Sequence, residues 1–277
     1  MDNKIVKTEK TVFGGNTIAK VDNKTVFIPY TMPEETISIN IVQHKNDYDN
    51  AEIINILEPS IHRVKPKCKY YEKCGGCNMM HIDSEYQREL RKQMLEDAFG
   101  NSKIDISDKI NIIHGPDFNY RARFQFTDGG LSQKKSNQII TLDRCECAEE
   151  PINEYLKNTP VNNRPSGRTH FFGSSKITDN QKLKISIPQV KEVYKIQGGK
   201  NSKKLKIKEN NYFSGTILSL ENIVTVQIAD KKLSFDVRGF FQSNLFVFEK
   251  VLKKICDSLR VDDETKEEIR AMRRKKH

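Results

Sequence analysis

Three cysteines lie within ten residues of one another in this sequence, and two more follow about seventy residues later. The first group is Cys68-x5-Cys74-x2-Cys77 and the second is Cys145-Glu-Cys147. The two glycines between Cys74 and Cys77 permit a tight turn, because glycine adopts backbone conformations that a Cβ forbids. Four thiolates bind either zinc or an iron–sulfur cluster. Zinc sites use two pairs with wider spacing than Cys145 and Cys147 have, so the three-plus-one pattern favours a 4Fe–4S cluster.

Disulfide bonds and a zinc site are the other uses that the spacing leaves open. The polar start of the sequence, residues 1–7, lacks the apolar stretch of a secretory signal. No run of about eighteen apolar residues occurs that would span a membrane. We therefore expect a cytoplasmic protein with no membrane partner, whose thiols stay reduced and free to bind a metal.

The charge composition indicates a polyanionic partner. Lys and Arg total 47 against 37 Asp and Glu, which gives a net charge of +10 and a pI near 9.2. Nucleic acid is the most common partner of such a cytosolic chain. A merely Lys-rich soluble protein is the alternative, and charge alone does not separate the two.

Short strands with closely spaced turn signals fill residues 1–60 and predict a small closed β-barrel of the OB type. The predicted strands are Thr11–Phe13, Ile18–Val21, Thr25–Ile28, Thr36–Val42 and Ala51–Leu57. Such barrels bind oligonucleotides with aromatic stacking platforms. Four aromatic residues are available for that role or for the core: Phe13, Phe27, Tyr30 and Tyr48.

Residues 61–236 predict a mixed α/β domain with a mainly antiparallel sheet. The cysteine loop at 61–81 leads into a helix over Ser84–Phe99, with Ser84 and Gln87 as a capping box. Later strand-like runs are Tyr120–Phe126, Ile139–Leu142, Lys182–Ile187, Ile217–Ser219 and Ile223–Ile228, and the Lys-rich 195–204 predicts an exposed loop.

Residues 237–277 open with an amphipathic helix over 245–259. One apolar face is formed by Leu245, Phe248, Leu252, Ile255 and Leu259. Cys256 lies beside that face, which predicts buried packing and no nucleophilic role. A charged, basic segment follows to residue 277.

Three segments together resemble the SAM-dependent RNA (uracil-5)-methyltransferases that carry an N-terminal TRAM domain and an iron–sulfur cluster. Residues 63–81 end in Cys74-Gly-Gly-Cys77-x3-His81, residues 119–126 contain Tyr120-Arg-Ala-Arg123, and residues 239–244 read Gly-Phe-Phe-Gln-Ser-Asn. These are similar to three motifs of the family, in the same order. The resemblance covers nearly the whole chain up to about residue 260, and residues 1–60 are similar to the TRAM barrel.

The resemblance implies roles for individual residues. It implies a 4Fe–4S cluster on Cys68, Cys74, Cys77 and Cys145. Cys147 remains a competitor for the fourth place, because Glu146 stands where the family has Pro. RNA contact is implied for Tyr120, Arg121 and Arg123, and the two arginines are expected on one face of a strand. A position in the pocket for uracil and SAM is implied for Gln242 and for Phe240.

The family's catalytic residues are not found in this sequence. Its reaction uses a cysteine thiolate that adds to C6 of uridine, a general base and a Gly-rich SAM loop. No Gly-x-Gly occurs in the 277 residues. We therefore expect no catalytic residue here, a truncated catalytic domain over 237–277 and no SAM binding by this chain alone. The expected partners are structured rRNA or tRNA and a separately encoded C-terminal half. The alternatives are a stand-alone RNA-binding module and a zinc-stabilised nucleic-acid-binding protein.

Overall fold

The computed structural model describes residues 3–186 and 222–258. A six-stranded sheet occupies the N-terminal part, with the strand order β1-β5-β6-β4-β3-β2. Its strands are β1 Lys4–Lys7, β2 Lys10–Thr11, β3 Thr17–Val21, β4 Lys24–Ile28, β5 Thr36–His44 and β6 Tyr48–Glu58. The sequence predicted five strands and missed β1, which has four residues, of which only Val6 is buried and Ile5 is 67% exposed.

The sheet closes on itself through the short segment between β1 and β2. β1 pairs with β5 at one edge, and β2 pairs with β3 at the other. The Thr8 N–H donates to Glu35 O at 2.9 Å and the Glu9 N–H donates to Ile18 O at 2.8 Å, so one continuous segment joins both edges. The enclosed core consists of Val6, Ala19, Val26, Ile28, Ile37, Ile39 and Ala51.

The first helix, α1, spans Ser84–Gly100 and packs against the barrel and the cysteine loop. The predicted cap at Ser84 is wrong, because the side chain of Asp83 accepts the Tyr86 N–H at 2.9 Å. Gln87 donates to Ile82 O instead of completing a capping box. A cluster of apolar side chains joins the three parts: Met32, Met79, Ile82, Leu90 and Met94.

The central part is built from antiparallel pairs, as the sequence predicted. A three-stranded sheet has the order β11-β10-β7, and two hairpins are formed by β8-β9 and β12-β13. The strands are β7 Arg123–Thr127, β8 Leu131–Ser132, β9 Ile139–Ile140, β10 Arg168–Gly173, β11 Leu183–Ser186, β12 Ile223–Ile228 and β13 Lys231–Asp236. Helix α2, Glu150–Asn158, covers one face of the three-stranded sheet. Short 3-10 turns lie at Ser107–Lys109 and Val161–Asn163.

The third helix, α3, spans Leu245–Ser258, and only its first half is covered. Leu245 is fully buried, and Phe248 and Leu252 pack on the core beside β12 and β13. Ile255 is 47% exposed and Cys256 is exposed, so the predicted burial of Cys256 is wrong. Within the described residues, nothing covers the C-terminal end of α3, residues 253–258.

Two predicted features, the strand at 217–219 and the loop at 195–204, lie outside the described residues. No helix within 3–186 or 222–258 has the length and apolar content needed to cross a bilayer.

Candidate functional site

The five cysteines of the two predicted groups line a single cavity of about 480 Å³. All are free thiols and all are partly or fully buried: Cys68, Cys74, Cys77, Cys145 and Cys147. The Sγ atoms of Cys77 and Cys147 are 3.7 Å apart. Within the described residues, no group of three or more His, Cys, Asp or Glu side chains is arranged to hold a metal ion. The fold brings the five cysteine side chains to the wall of one cavity.

Turns and short pairings hold the first group of cysteines. The Cys74 N–H donates to Tyr70 O at 2.8 Å, and the Gly75 N–H donates to Ser132 O at 3.1 Å. A side chain at Gly75 would approach Ser132 O to 3.3 Å, so the glycine permits this close pairing with the β8 hairpin. On the other side, Asp143 accepts hydrogen bonds from Lys69 at 2.6 Å and from Tyr70 at 2.8 Å. The loop that precedes Cys145 is thereby joined to the segment that follows Cys68.

The second group is positioned by Asn153, a buried residue of α2. Its Oδ1 accepts the Cys145 N–H at 2.9 Å. Its Nδ2 donates to Cys145 O and to Ala148 O, both at 3.1 Å. These three bonds fix the backbone of the loop from both ends. Asn153 was not predicted as a site residue, because a polar residue in the middle of a helix gives no signal of what it contacts.

The thiols strongly influence one another's protonation. Burial raises the pKa values of Cys68 and Cys74. A hydrogen bond with Cys147 lowers the pKa of Cys77. A hydrogen bond with Cys147, followed by burial, raises the pKa of Cys145. The hydrogen bond with Cys145 has the largest single effect on Cys147 and lowers its pKa, but the bond with Cys77 and burial together raise that pKa to about 11.

Tyr120 and Arg121, both predicted to contact RNA, face the cysteines. The backbone N–H groups of both residues donate to Cys147 O, at 3.0 and 2.7 Å. The Tyr120 hydroxyl contacts Cys147, although burial is the main cause of its raised pKa. The guanidinium of Arg121 lies 4.8 Å from the centre of the Phe124 ring and lines the cavity. Arg121 is thus a cation beside the thiols.

Arg123, the other predicted RNA contact, is the first residue of β7 and does not itself line the cysteine cavity. Pairing places Gln125 opposite His170 and Thr127 opposite Arg168, on the same side as Arg123. Burial, then the charges of Arg121 and Arg168, lowers the pKa of Arg123. Burial, then Arg123, Arg168 and Arg238, lowers the pKa of His170 to about 4. The buried Nε of Arg123 has no hydrogen-bond partner in the described structure.

The segment with Gln242 lies beside the two arginines. The Ala122 N–H donates to Ser243 O at 2.7 Å, and Arg121 forms an antiparallel bridge with Asn244. Gln242 is exposed, and Phe240 is 82% exposed. Phe241 instead stacks on Phe235 with ring centres 3.8 Å apart, which gives it a structural role. Both predicted pocket residues are therefore accessible next to Arg121 and Arg123.

The fold is similar to that of an RNA methyltransferase of known structure. A crystal structure of Pyrococcus abyssi tRNA (uracil-54, C5)-methyltransferase with S-adenosyl-L-homocysteine matches 93% of this chain and 66% of that one. The TM-score is 0.57 and the sequence identity is 14%, so the likeness concerns the fold.

Sequence relatives carry names of the same kind. An uncharacterized RNA methyltransferase of Treponema denticola is 34% identical over 93% of this chain. A 23S rRNA (uracil(1939)-C(5))-methyltransferase RlmD of Mannheimia succiniciproducens is 28% identical over 90% of it. The chain spans about 60% of the length of these curated relatives. No family model matches it.

Proposed function

We propose that the protein acts in SAM-dependent methylation of uridine C5 in structured RNA, rRNA or tRNA. The similarity to RNA methyltransferases over 90% or more of the chain carries this proposal. This chain contributes an RNA-binding barrel of the TRAM type over 1–60 and a cluster-bearing domain over 61–236. Residues 237–277 are the opening of the catalytic part.

The cavity and its donors fit a 4Fe–4S cluster. Four thiolates around one zinc ion lie about 3.8 Å apart, given Zn–S bonds of about 2.3 Å. A cluster inserts its own iron and sulfide atoms, so its ligands are spaced more widely. The five thiols line a cavity of about 480 Å³, which leaves room between them for more than a single ion. A cluster bound there would cross-link segments that are distant in the sequence, and its binding free energy would stabilise the fold.

We propose Cys145 as the fourth ligand, and Cys147, whose Sγ lies 3.7 Å from that of Cys77, is its competitor. Burial and local hydrogen bonds have the largest effects on the pKa values of Cys68, Cys74 and Cys77, and the charge of Cys145 raises all three. Cys145 therefore lies near every member of the first group.

Zinc is the second candidate for this site. The distance of 3.7 Å between the Sγ atoms of Cys77 and Cys147 matches one edge of a zinc–thiolate tetrahedron. In that case Cys147 would be a ligand and the protein a zinc-stabilised nucleic-acid-binding module. Iron and sulfide content after anaerobic purification distinguishes the two, because a 4Fe–4S protein is brown and a zinc protein is colourless.

The basic groups beside the site support contact with RNA phosphates. Arg121 and Arg123 lie on either side of Ala122, next to the exposed Gln242. A guanidinium carries several N–H donors in one plane, which suits an arginine side chain to bind phosphate oxygens. In the complete enzyme this chain would hold the RNA while Gln242 faces the target uridine.

Salt-dependent RNA binding tests the proposal. Removal of one phosphate contact should lower the slope of log affinity against log salt by about 0.7–0.9. Arg121→Ala combined with Arg123→Ala should therefore weaken binding of structured RNA and flatten the slope by about two such steps. Arg91→Ala, at an exposed position on α1, is the matched control and should leave the slope unchanged. No RNA binding by the wild-type protein would overturn the proposal, and an unchanged slope in the double variant would remove the arginines from it.

A further inference from the structure

A second cleft, of about 280 Å³, lies between the barrel and the cysteine loop. The barrel contributes one wall and the turn at Gly75 and Gly76 contributes the other. The side chains that carry the argument are Phe27, Asn16, Asn50, Asn78, Lys134 and Lys135. Five of the residues that line the cleft also line the cysteine cavity: Gly75, Gly76, Cys77, Lys134 and Lys135. The cleft therefore adjoins the proposed cluster site and shares its supporting turn.

Phe27 forms an aromatic wall of the cleft from the outside of the barrel. Its neighbours in β4, Val26 and Ile28, are fully buried in the barrel core, so alternation directs Phe27 outward. The ring packs edge-on against Tyr48, with centres 5.2 Å apart and planes at 90°. Phe27 is partly exposed and lines the cleft, and a flat base stacks on an accessible aromatic ring.

Amide groups surround the aromatic wall. Asn16 and Asn50 line the cleft, and Asn50 donates to Gln43 at 2.9 Å. Asn78 donates to Gly14 O and so joins the two walls. Side-chain amides both donate and accept hydrogen bonds, as the edges of nucleobases do.

Two lysines give the cleft a positive charge. The Nζ of Lys134 lies 3.7 Å from the centre of the Tyr30 ring, which fixes its position. Burial and then the neighbouring charge of Lys135 lower the pKa of Lys134, while Glu72 acts in the opposite direction. The positive charges of Lys134 and Lys135 exceed the negative charge of Glu72, so this side of the cleft attracts an anion.

We propose that this cleft binds one unpaired nucleotide of the RNA, with its base on Phe27 and its phosphate at Lys134 and Lys135. The choice of RNA as the source of the nucleotide rests on the proposed function. The aromatic wall, the amides and the cations together match a base and a phosphate. The shared turn at Gly75 and Gly76 places the bound nucleotide beside the cluster.

A tryptophan reporter gives a direct test, because the chain contains no Trp. In Phe27→Trp, a single-stranded RNA of about 12 nucleotides should quench the new fluorescence in a saturable way. Phe99→Trp, at a position 40% exposed on α1, is the matched control and should not be quenched. Absence of quenching at position 27, with RNA bound by the protein, would overturn the cleft proposal and leave RNA binding intact.

Affinity measurements give the second arm. Phe27→Leu should weaken binding of that RNA by about 5- to 150-fold, the equivalent of ~1–3 kcal/mol for one stacked base. Its salt slope should stay at the wild-type value, because no charge is removed. Lys135→Gln should lower the slope. Equal affinity of Phe27→Leu and wild type, at equal iron content, would also overturn the proposal.

Free mononucleotides test whether the nucleotide in the cleft comes from an RNA chain or from solution. If the wild-type protein binds no RNA but uridine or adenosine monophosphate quenches the fluorescence of Phe27→Trp, the cleft is a site for a free nucleotide. That outcome would overturn both the assignment to RNA and the proposed function. Quenching by the RNA at concentrations far below those of the monophosphates supports the proposal as stated.

Discussion

Asn153 is the residue whose replacement should most clearly connect the fold to the proposed cluster. It is 2% exposed and makes three hydrogen bonds to the loop of Cys145, at 2.9, 3.1 and 3.1 Å. Each such bond contributes about 0.5–1.5 kcal/mol. Asn153→Leu has a similar volume and should lower the free energy of unfolding by about 2–4 kcal/mol. Asn153→Asp keeps one acceptor but opposes a carboxylate to two carbonyl oxygens, so it should be worse.

The assay combines urea unfolding with iron content after anaerobic purification. Both Asn153 variants should bind less iron, because the Cys145 backbone is no longer held at the cavity. Asn158→Ala, at an exposed position on the same helix, is the control and should stay within about 0.5 kcal/mol of wild type. Wild-type iron content in Asn153→Leu, together with a decrease in stability below about 1 kcal/mol, would refute this role of Asn153.

Three further outcomes are expected. Cys145→Ser should lose iron and Cys147→Ser should retain it; the reverse result would make Cys147 the fourth ligand. Burial lowers the pKa of His81 to about 4. The unfolded chain therefore takes up a proton that the folded chain does not, and stability should fall from pH 6.5 to 4 by up to about 1.4 kcal/mol per pH unit. His81→Gln should reduce that decrease in urea unfolding across the pH range, whereas His114→Gln, at an exposed position, should not. The polypeptide of residues 1–277 alone should show no saturable SAM binding by calorimetry and no methyl transfer to RNA; transfer would mean that the active site lies elsewhere in it.

The tautomer of His81 could not be predicted from the sequence and follows from the contacts of its two ring nitrogens. Its Nε2 is 3.1 Å from Thr31 O, an atom that only accepts, so Nε2 carries the proton. Nδ1 then accepts from the Tyr71 hydroxyl at 2.6 Å. In the sequence, His81 was only the last residue of the motif Cys74-Gly-Gly-Cys77-x3-His81, and no role was assigned to it. The structure makes His81 a neutral, buried connection between the cysteine loop and the barrel.

Local sequence signals predicted the strands and helices that bury a continuous apolar face. Strand β12 was predicted at its observed bounds, because Val224, Val226 and Ile228 alternate with polar residues. Strand β10 was missed, since Arg168 and His170 in it are polar and their partners lie some forty residues earlier. Helix α2 was missed for a similar reason: it has only nine residues, with Pro151 near its start. Such elements are specified by distant contacts that a local pattern does not contain.

The same distinction applies to the cysteine site. Sequence spacing identified the cysteines, but spacing contains no information about the groups that hold them. Those groups include a buried ion pair between the barrel and the loop, in which Arg63 donates to both oxygens of Glu35 at 2.6 and 2.7 Å. A buried pair is costly to break, because the remaining charge loses its partner. The barrel and the cysteine loop are therefore held together by protein groups alone. Asn153 does the same for the segment of Cys145, so this one polar residue of α2 should matter for the site although it binds no metal.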